Sequence, residues 1–381
     1  MEINDLLKDY ATPFYILDFD KTEERISKIQ SQLPLNAKLC YAIKANPFLL
    51  HVLRNRAGLL FEVCSEGELQ ICKKLDINPS QIVFSGVMKN KRMLKDAVSY
   101  GCQTITIESL SQLNDLMIVL PDEKLQNVII RISSGNQFGL SVDDFYKAYD
   151  MIESRGNIRI TGIHYFSGTQ KKLSKICDEV KLTEQLVEDL KNKIQLDNLY
   201  IEYGPGLSYE YFGDDFSENF SELKELSSII ATSKYNFVIE LGRYIASPCG
   251  EYFSKVCDKK ENNNINYLIL DGGINHINYY GQIMGMKIPP FEIMSMNNSN
   301  NEEKNYCICG SLCTVADVIT KKVSIKGIEL GDIIRFKNIG AYSITEGIYL
   351  FLSHDLPLIF GKYKNEYKLL RKSQSTYVLN S

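Results

Sequence analysis

The stretch Cys40–Leu49 reads Cys-Tyr-Ala-Ile-Lys-Ala-Asn-Pro-Phe-Leu and puts a lysine, Lys44, at the end of an apolar run. Such a run is typical of a buried strand, and Asn46-Pro47 predicts the point where the strand ends. An ammonium group is costly to bury unless a partner compensates its charge. One reason to place a lysine there is to use its amine as a nucleophile toward a carbonyl group, an interpretation that this stretch alone does not favour and that depends on the rest of the chain. The alternative is a strand-end lysine whose ammonium lies in solvent.

Strand-like and helix-like runs alternate around and after this stretch, over residues 37–241. Strands are predicted at Leu39–Ile43, Leu59–Val63, Gln81–Ser85, Gln103–Ile107, Asn127–Ile132, Arg159–Tyr165, Asn198–Glu202 and Asn236–Leu241. Helical periodicity marks Glu66–Leu75, Lys89–Tyr100, Val142–Arg155, Leu173–Ile194 and Phe216–Ser233, and Ser109 and Ser141 are predicted N-caps. Eight β-then-α units predict an α/β fold with a closed (β/α)8 barrel of the TIM type. An open doubly wound sheet is the alternative, but no glycine-rich dinucleotide fingerprint follows the first strand.

The two ends of the chain have a different pattern from the barrel. Shorter β-rich runs are predicted at Phe14–Leu17, Asn266–Leu270, Val323–Ile325, Ile333–Phe336 and Gly347–Leu352. The polar stretch Asn297–Asn305 is predicted to be a surface loop. We therefore expect a barrel over residues 25–241 and a smaller, mainly-β domain built from residues 1–24 and 242–381.

Composition excludes several classes of function. The 381-residue chain has a formal net charge of -4 and no basic tract, so nucleic acid is not an expected partner. It has no signal-peptide pattern and no apolar run near the roughly 20 residues that cross a bilayer, so we expect a cytoplasmic protein without membrane partners. The ten cysteines are expected to be reduced. No metal site is predicted, although Cys307, Cys309 and Cys313 lie close together in sequence.

Polar and glycine residues follow several of the predicted strands, where the functional groups of such barrels lie. Besides Lys44, they are Ser167-Gly168-Thr169, Gly204-Pro205-Gly206, Glu240 and Gly242-Arg243. Glycines allow close backbone approach, exposed N–H groups can hold a phosphate, and an arginine adds a permanent charge. Taken singly, these residues are also compatible with ordinary turns and a surface ion pair. Their occurrence together indicates a phosphate-bearing ligand.

Motifs along nearly the whole chain resemble those of one family. They are Ala11–Tyr15, Tyr41–Asn46, Glu62–Leu69, Gly162–His164 continuing to Gly168-Thr169, Gly204–Gly206, Glu240–Tyr244, Gly310–Cys313 continuing to Asp317, and Gly340–Tyr342. In this respect the chain resembles the fold-type III pyridoxal-phosphate decarboxylases, a family that includes diaminopimelate and ornithine decarboxylases.

The resemblance implies that pyridoxal 5'-phosphate is the cofactor and that Lys44 forms a Schiff base with it. Glu240 is expected to face the pyridine nitrogen, and His164 and Phe166 to lie at the cofactor. The phosphate is expected to contact Thr169, Gly204, Gly206, Arg243 and Tyr342.

The resemblance also implies a role for the smaller domain. Cys313 is expected to return a proton to the carbanion after CO2 leaves, although a buried free cysteine is often only an inert core residue. Cys313 and Tyr342 are expected to serve an active site shared across a head-to-tail homodimer. Asp317 is expected either to contact the distal part of the substrate or to cap a helix.

Four positions depart from the family pattern. Phe166 stands where a histidine usually stacks on the cofactor, and Gln137 replaces the lysine of a Lys-Phe-Gly motif. Thr314 follows the cysteine where the family has an acid, and Tyr279 replaces an arginine that holds a substrate carboxylate. A charged substrate end would then lack its partner.

These departures favour the branch that acts on carrier-protein-linked amino acids or in natural-product pathways, with Thr314, Asp317 and Tyr279 near the substrate. Three alternatives remain open. They are a diaminopimelate decarboxylase with relocated contacts, an amino-acid racemase and a non-catalytic pyridoxal-phosphate carrier protein.

Overall fold

The computed structural model describes residues 3–194, 196, 198–212, 219–294 and 302–381. The chain divides into two compact units. The barrel unit comprises Arg25–Ser208 and Glu218–Tyr244, and the sheet unit comprises Met1–Glu24, Tyr209–Ser217 and Ile245–Ser381. The division expected from the sequence differs from these bounds in two respects. It placed residues 209–217 in the barrel, and it ended the barrel at residue 241 and not at Tyr244.

Seventeen strands lie in the described residues. In chain order they are β1 Phe14–Asp18, β2 Ala37–Ala42, β3 Leu59–Val63, β4 Ile82–Phe84, β5 Thr104–Ile107, β6 Gln126–Arg131, β7 Ile158–Phe166, β8 Tyr200–Gly204, β9 Phe237–Leu241, β10 Gly250–Asn262, β11 Ile265–Leu270, β12 Phe291–Met294, β13 Glu303–Cys309, β14 Val318–Lys326, β15 Ile333–Phe336, β16 Leu358–Tyr363 and β17 Glu366–Arg371.

Strands β2 to β9 form a closed barrel in which each strand is parallel to its neighbours. Closure is completed by β9, which pairs with β2 so that Leu39 lies opposite Ile239. The prediction of a closed (β/α)8 barrel is confirmed, and the open doubly wound alternative is wrong. Parallel strands covered by helices are buried on both faces, which is why their sequences read as short continuous apolar runs.

The α-helices connect the strands of the barrel or flank the sheet. They are α1 Ile3–Asp9, α2 Phe19–Gln32, α3 Leu50–Leu53, α4 Glu66–Lys74, α5 Lys91–Tyr100, α6 Leu110–Val119, α7 Val142–Arg155, α8 Leu173–Lys193, α9 Ser221–Ala231 and α10 Arg243–Ala246. The predicted caps are confirmed, because the Ser109 hydroxyl accepts from Gln112 N–H and the Ser141 hydroxyl accepts from Asp144 N–H. The helix predicted at Phe216–Ser233 is α9, and its predicted residues 216–218 lie outside the described part of the chain.

The sheet unit contains nine strands drawn from both ends of the chain. Their order is β14-β13-β11-β10-β1-β16-β17, with β15 on β10 and β12 on β15. The N-terminal strand β1 lies between β10 and β16, so residues far apart in sequence share one core. That core contains Leu6, Phe14, Ile16, Phe253, Ile333 and Phe360. The mainly-β domain formed from both chain ends is thereby confirmed.

Two predictions about the sheet unit are wrong. The segment Gly347–Leu352 is not a strand, because it ends in a 3-10 turn where Leu352 and Ser353 have φ values of 61° and 56°. Strand β13 begins at Glu303, inside the stretch predicted as a loop at Asn297–Asn305, of which 297–301 lie outside the described residues. Strand β10 was not predicted, because its outer half is charged and exposed.

The helices are either too short or too polar for a membrane-spanning segment. Among the described residues, no helix is both long enough and apolar enough to span a bilayer.

The close approach of β7 and β8 generates a prediction about stability. A Cβ added to Gly162 would lie 2.4 Å from the carbonyl oxygen of Tyr200, so Gly162→Ala forces the two strands apart. We expect the free energy of unfolding to fall by about 1–3 kcal/mol. The measurement is urea denaturation. Gly67→Ala is the matched control, because a Cβ there meets nothing nearer than the Ser65 hydroxyl at 3.9 Å. Equal midpoints for the two variants would contradict the prediction.

Candidate active site

Lys44 lies at the mouth of the barrel, directly after β2. A 3-10 turn at Ile43–Ala45 follows the strand, and the Asn46 side chain caps the next turn by accepting from Phe48 N–H. The buried Tyr41 hydroxyl donates to the Asn46 carbonyl over 2.9 Å and fixes this bend. The Lys44 side chain is 39% exposed, so a ligand at the barrel mouth can reach its amine.

Two carboxylates and a thiol surround the Lys44 amine. Its Nζ lies 2.7 Å from Glu62 Oε2, 3.5 Å from Glu240 Oε1 and 3.8 Å from Cys64 Sγ. Burial by itself lowers the pKa of Lys44, but Glu62, Cys64 and Glu240 together raise it well above its ordinary value. At 2.7 Å, Glu62 is the nearest acceptor for the proton that Lys44 must lose before it can act as a nucleophile, and burial together with Glu240 raises the pKa of this carboxyl group.

Glu240, at the end of β9, bonds to a histidine on β7. His164 Nε2 lies 3.2 Å from Glu240 Oε2, and both side chains are buried. Burial lowers the pKa of His164 to about 3, so the ring is neutral at physiological pH. Burial raises the pKa of Glu240, but the charge of Lys44, a hydrogen bond with Glu62 and the charge of Arg131 together keep it below the ordinary value. Glu240 is therefore a carboxylate at neutral pH.

A third carboxyl group, Glu202 on β8, lies beside this pair. A carboxyl oxygen of Glu202, a carboxyl oxygen of Glu240 and a ring nitrogen of His164 all lie within 4.8 Å of one another. This spacing could surround a metal ion, but the Lys44 ammonium at 3.5 Å from Glu240 opposes a cation there.

The neighbouring strands add a second charged group at the mouth. Arg131, the last residue of β6, lies 3.1 Å from Glu108 Oε1, which follows β5. A buried amine, Lys89, donates to the Gly86 carbonyl, and burial lowers the pKa of Lys89 to about 8. Arg131 is thus paired with Glu108, and Lys89 with the Gly86 carbonyl. The carboxyl groups that pair with Lys44 are Glu62 and Glu240.

Two glycine-containing loops follow β7 and β8 and pack backbone against backbone. A Cβ on Gly206, whose φ is +59°, would lie 2.2 Å from the Gly168 carbonyl oxygen, so only glycine allows this contact. Lys171 N–H donates to the Gly206 carbonyl over 3.0 Å. In contrast, a Cβ on Gly168 would meet no atom within 4 Å, so there is open space beside this loop. Backbone N–H groups next to open space are what an anion such as phosphate requires.

A buried ion pair holds the first of these loops to helix α8. Lys171 bonds to Glu179, which also accepts from the Ser167 hydroxyl and, over 2.9 Å, from the Tyr203 hydroxyl. The Lys171 amine also donates to the Gly204 carbonyl over 3.3 Å. Burial raises the pKa of Glu179, but the bonds from Lys171 and Ser167 lower it below its ordinary value. The pair therefore connects both loops through charge-assisted hydrogen bonds.

Phe166 packs on Gly204 at the end of β7. A Cβ on Gly204 would lie 2.5 Å from the Phe166 ring. The ring can therefore occupy this position only because residue 204 is a glycine. Phe166 is half-buried and presents an apolar face that cannot titrate.

In the sheet unit, Asp317 holds the loop that carries Cys313. The buried Asp317 carboxylate accepts from Ile274 N–H over 2.9 Å and from Leu312 N–H over 2.7 Å. Cys313 and Thr314 are exposed. Both Asp317 oxygens are engaged by backbone, which favours an anchoring role for this residue. A direct contact with substrate stays a prediction.

Tyr279 and Tyr342, also in the sheet unit, differ in accessibility. Tyr279 is buried, and its hydroxyl donates to the Lys337 carbonyl over 2.6 Å. Tyr342 is half-buried with a φ of +67°, a conformation that costs a non-glycine residue about 1–3 kcal/mol and occurs both in turns and at functional sites.

The structure brings together Lys44, His164 and Glu240 of the predicted residues, and it groups Phe166, Gly204, Gly206 and the Gly168-Thr169 turn on adjoining loops. Arg243 lies at the start of α10, directly after β9. Sequence reasoning missed Glu62, Glu202 and the Lys171–Glu179 pair. A charged residue inside an apolar strand run was the available signal for Glu62 and Glu202.

These features fit pyridoxal phosphate. The accessible amine of Lys44 matches an aldehyde, the Glu240 carboxylate matches a protonated ring nitrogen, and the open space beside Gly168 matches a phosphate. His164 Nδ1 is buried without a hydrogen-bond partner among the described residues, so the polar cluster is incomplete in the protein alone.

Comparisons with known proteins agree with this chemistry. The chain is 27% identical to the L-glutamyl-[BtrI acyl-carrier protein] decarboxylase of Niallia circulans, over 97% of this chain and 93% of that protein. It is 30% identical to the 2-[(L-alanin-3-ylcarbamoyl)methyl]-2-hydroxybutanedioate decarboxylase of Staphylococcus aureus, over 90% of this chain and 92% of that protein. The crystal structure of Helicobacter pylori diaminopimelate decarboxylase with L-lysine superposes with a TM-score of 0.83 at 20% identity, covering 99% of this chain and 98% of that chain, and shows the fold alone.

One family description matches most of the barrel. Residues 19–247 match the pyridoxal-binding domain of the pyridoxal-dependent decarboxylases. With the likeness to the two bacterial decarboxylases, this match is decisive: the chain belongs to the fold-type III pyridoxal-phosphate-dependent decarboxylases and is an amino-acid carboxy-lyase that uses pyridoxal phosphate.

Proposed function

We propose that the enzyme decarboxylates an amino acid whose distal end is joined to a larger molecule, such as a carrier protein or a natural-product precursor, and not free diaminopimelate. The observation that carries the proposal is a cavity of about 300 Å³ in the sheet unit, beside the Cys313 loop. Its lining includes Asn278, Ala316 and Glu346 but no lysine, arginine or histidine among the described residues. A free carboxylate at the distal end of the substrate would find no cation in that lining.

The polar groups of this cavity are already engaged. Asn278 donates to Glu346 over 2.9 Å, and Gln282 bonds to the Lys287 and Ile319 carbonyls. Tyr279 lines the same cavity, and its hydroxyl donates to the Lys337 carbonyl. The family resemblance implies that it replaces an arginine that would hold a substrate carboxylate. Thr314 is neutral and cannot pair with a distal ammonium. Amide or thioester linkages are neutral and suit such surroundings.

In the proposed mechanism Lys44 is the residue that binds the cofactor covalently. Its amine must be unprotonated to attack, and Glu62 at 2.7 Å accepts the proton. Glu240 keeps its negative charge opposite the cofactor's ring nitrogen, with His164 bonded to its other oxygen. When bound, the cofactor supplies an electron-withdrawing ring that stabilises the negative charge left when CO2 departs.

The remaining roles concern phosphate, stacking and protonation. Backbone N–H groups of the Gly168-Thr169 and Gly204–Gly206 loops would hold the phosphate, with charge from Arg243 and, in the dimer proposed below, a hydroxyl from Tyr342 of the partner subunit. Phe166 offers an apolar face to the cofactor ring. Cys313 returns a proton to the α-carbon of the product, which its exposure permits.

We further propose a homodimer in which Cys313 and Tyr342 act in the site of the partner chain. Large apolar side chains are exposed near the Cys313 loop and its cavity, namely Val315 at 92%, Met286 at 73% and Ile283 at 66%. Exposed apolar clusters of this kind are typical of surfaces that a partner covers.

Lys44→Ala tests the covalent role of the amine. We expect the variant to lose the visible absorbance of the bound cofactor and at least about 1000-fold in rate, since the nucleophile is gone. Spectra and CO2 release measure the two effects. Lys89→Ala is the matched control, because its amine also lies near the mouth but donates to the Gly86 carbonyl and is buried. A coloured, active Lys44→Ala enzyme would refute the role.

Mixing Lys44→Ala with Cys313→Ala tests the shared site. If both residues come from different chains, random reassociation of the two inactive dimers restores about one quarter of the sites. Activity after mixing and size-exclusion chromatography measure this. No recovery, although the variants exchange subunits, would show that each site uses residues of one chain.

A substrate screen tests the neutral distal end. We expect CO2 release from α-amino acids whose side-chain carboxyl is an amide or a carrier thioester, and at least about tenfold lower kcat/KM for free diaminopimelate. Mass spectrometry of the amine products identifies the substrate. Efficient turnover of free diaminopimelate would favour the relocated-contact alternative. Solvent deuterium at the α-carbon without CO2 release would favour a racemase.

A further inference from the structure

Glu202 is a buried acid to which the mechanism above gives no role. It lies on β8 opposite His164 of β7, and its side chain has no solvent exposure. Both of its carboxyl oxygens lack a hydrogen-bond partner among the described residues. An oxygen of this carboxyl lies within 4.8 Å of a His164 ring nitrogen and of a Glu240 carboxylate oxygen. Buried polar groups without partners are rare, so this one needs an explanation.

The charges around Glu202 leave no cation to balance it within the described residues. The titratable groups that face it are Cys40 of β2, Lys44, Glu62 of β3, His164, Tyr200 on its own strand and Glu240. Lys44 is the cation of this set and is already adjacent to Glu62 and Glu240. The next cation, Arg131, bonds to Glu108. An ionised Glu202 would therefore be a third negative charge beside a single ammonium.

Electrostatics agrees with the geometry. Burial, Glu240 and Glu62 raise the pKa of Glu202 well above its ordinary value. Burial and the two neighbouring carboxyl groups thus favour the neutral form of Glu202, and a neutral carboxylic acid can donate a hydrogen bond.

We propose that Glu202 is a positioning residue whose protonated carboxyl donates a hydrogen bond to the Glu240 carboxylate and orients it toward the cofactor's ring nitrogen. The proposal rests on the role of Glu240 proposed above. Two acceptors, the Glu240 carboxylate and the neutral His164 ring, each have an atom within 4.8 Å of Glu202. The Glu240 carboxylate is preferred because a charged acceptor forms the stronger hydrogen bond. Glu202 would then add to the contacts that His164 and Glu62 make with Glu240, and Glu240 stays ionised.

Glu202→Gln and Glu202→Leu separate this role from mere packing. Glutamine keeps a neutral donor, whereas leucine has a similar size and donates nothing. We expect Glu202→Gln to bind pyridoxal phosphate within about twofold of wild type, and Glu202→Leu to bind it about 10- to 100-fold more weakly. We also expect the visible spectrum of the bound cofactor to titrate at lower pH in Glu202→Leu, because a poorly held Glu240 stabilises the ring N–H less.

Thermal unfolding of the cofactor-free protein gives a readout that does not depend on the cofactor. In wild type, the native state keeps a proton on Glu202 that the unfolded state loses above its ordinary pKa, so stability falls as pH rises beyond that value. Glu202→Gln removes this term. The difference between the Tm of Glu202→Gln and the Tm of wild type should therefore increase by roughly 2–4 °C between about pH 5 and about pH 8.

Glu179→Gln is the matched control for the sign. Glu179 has a pKa below its ordinary value, so its ionised form stabilises the native state. The Tm of Glu179→Gln should therefore fall relative to the Tm of wild type as pH rises.

Two results would overturn the proposal. If Glu202→Gln binds the cofactor as weakly as Glu202→Leu and shows no gain in Tm, the acid is ionised and its charge is required. If all three proteins bind alike, Glu202 does not position Glu240. Failure of wild type to bind pyridoxal phosphate would instead count against the proposed function, and the pH dependence of Tm would still report on Glu202.

Discussion

The Lys44 ammonium, held between Glu62 and Glu240, is the interaction on which the barrel interior depends. Carboxyl groups from three strands converge there with few solvent contacts, and each would be unfavourable as an isolated charge. A lysine with two acidic neighbours is stable as a cation, yet one of those neighbours is close enough to remove its proton. The same contacts therefore stabilise the charges at the barrel mouth and place the amine beside a proton acceptor.

The other half of the site depends on backbone contact. Gly206 and Gly204 allow the loops after β7 and β8, and the Phe166 ring, to approach closer than any side chain would permit. The charges of Lys171 and Glu179 lie behind these loops, on the side of helix α8. Ion pairs thus fix the part of the site around Lys44. Close backbone packing at glycines fixes the loops after β7 and β8, which are proposed to bind phosphate.

Much of this could be predicted from the sequence, because it is encoded locally. The run Leu59–Val63 is a strand with the predicted bounds, and the alternation of strands and helices was enough to predict the barrel. Strand ends carrying Lys44 and Glu240 were recognisable because polar residues interrupt apolar runs. The inward direction of Glu62 and Glu202 depends on strand register, and the Lys171–Glu179–Tyr203 contacts require β7, β8 and α8 to be in place. At Leu352 the backbone has a positive φ, which a β-rich composition does not indicate.

The Lys171–Glu179 pair also has a consequence for motion. Because it joins the loop after β7 to the second turn of helix α8, neither element can open without separating two buried charges. The loop and the beginning of the helix should therefore behave as one cooperative unit in amide hydrogen exchange. A ligand that engages the loop would then slow exchange well beyond the residues it contacts.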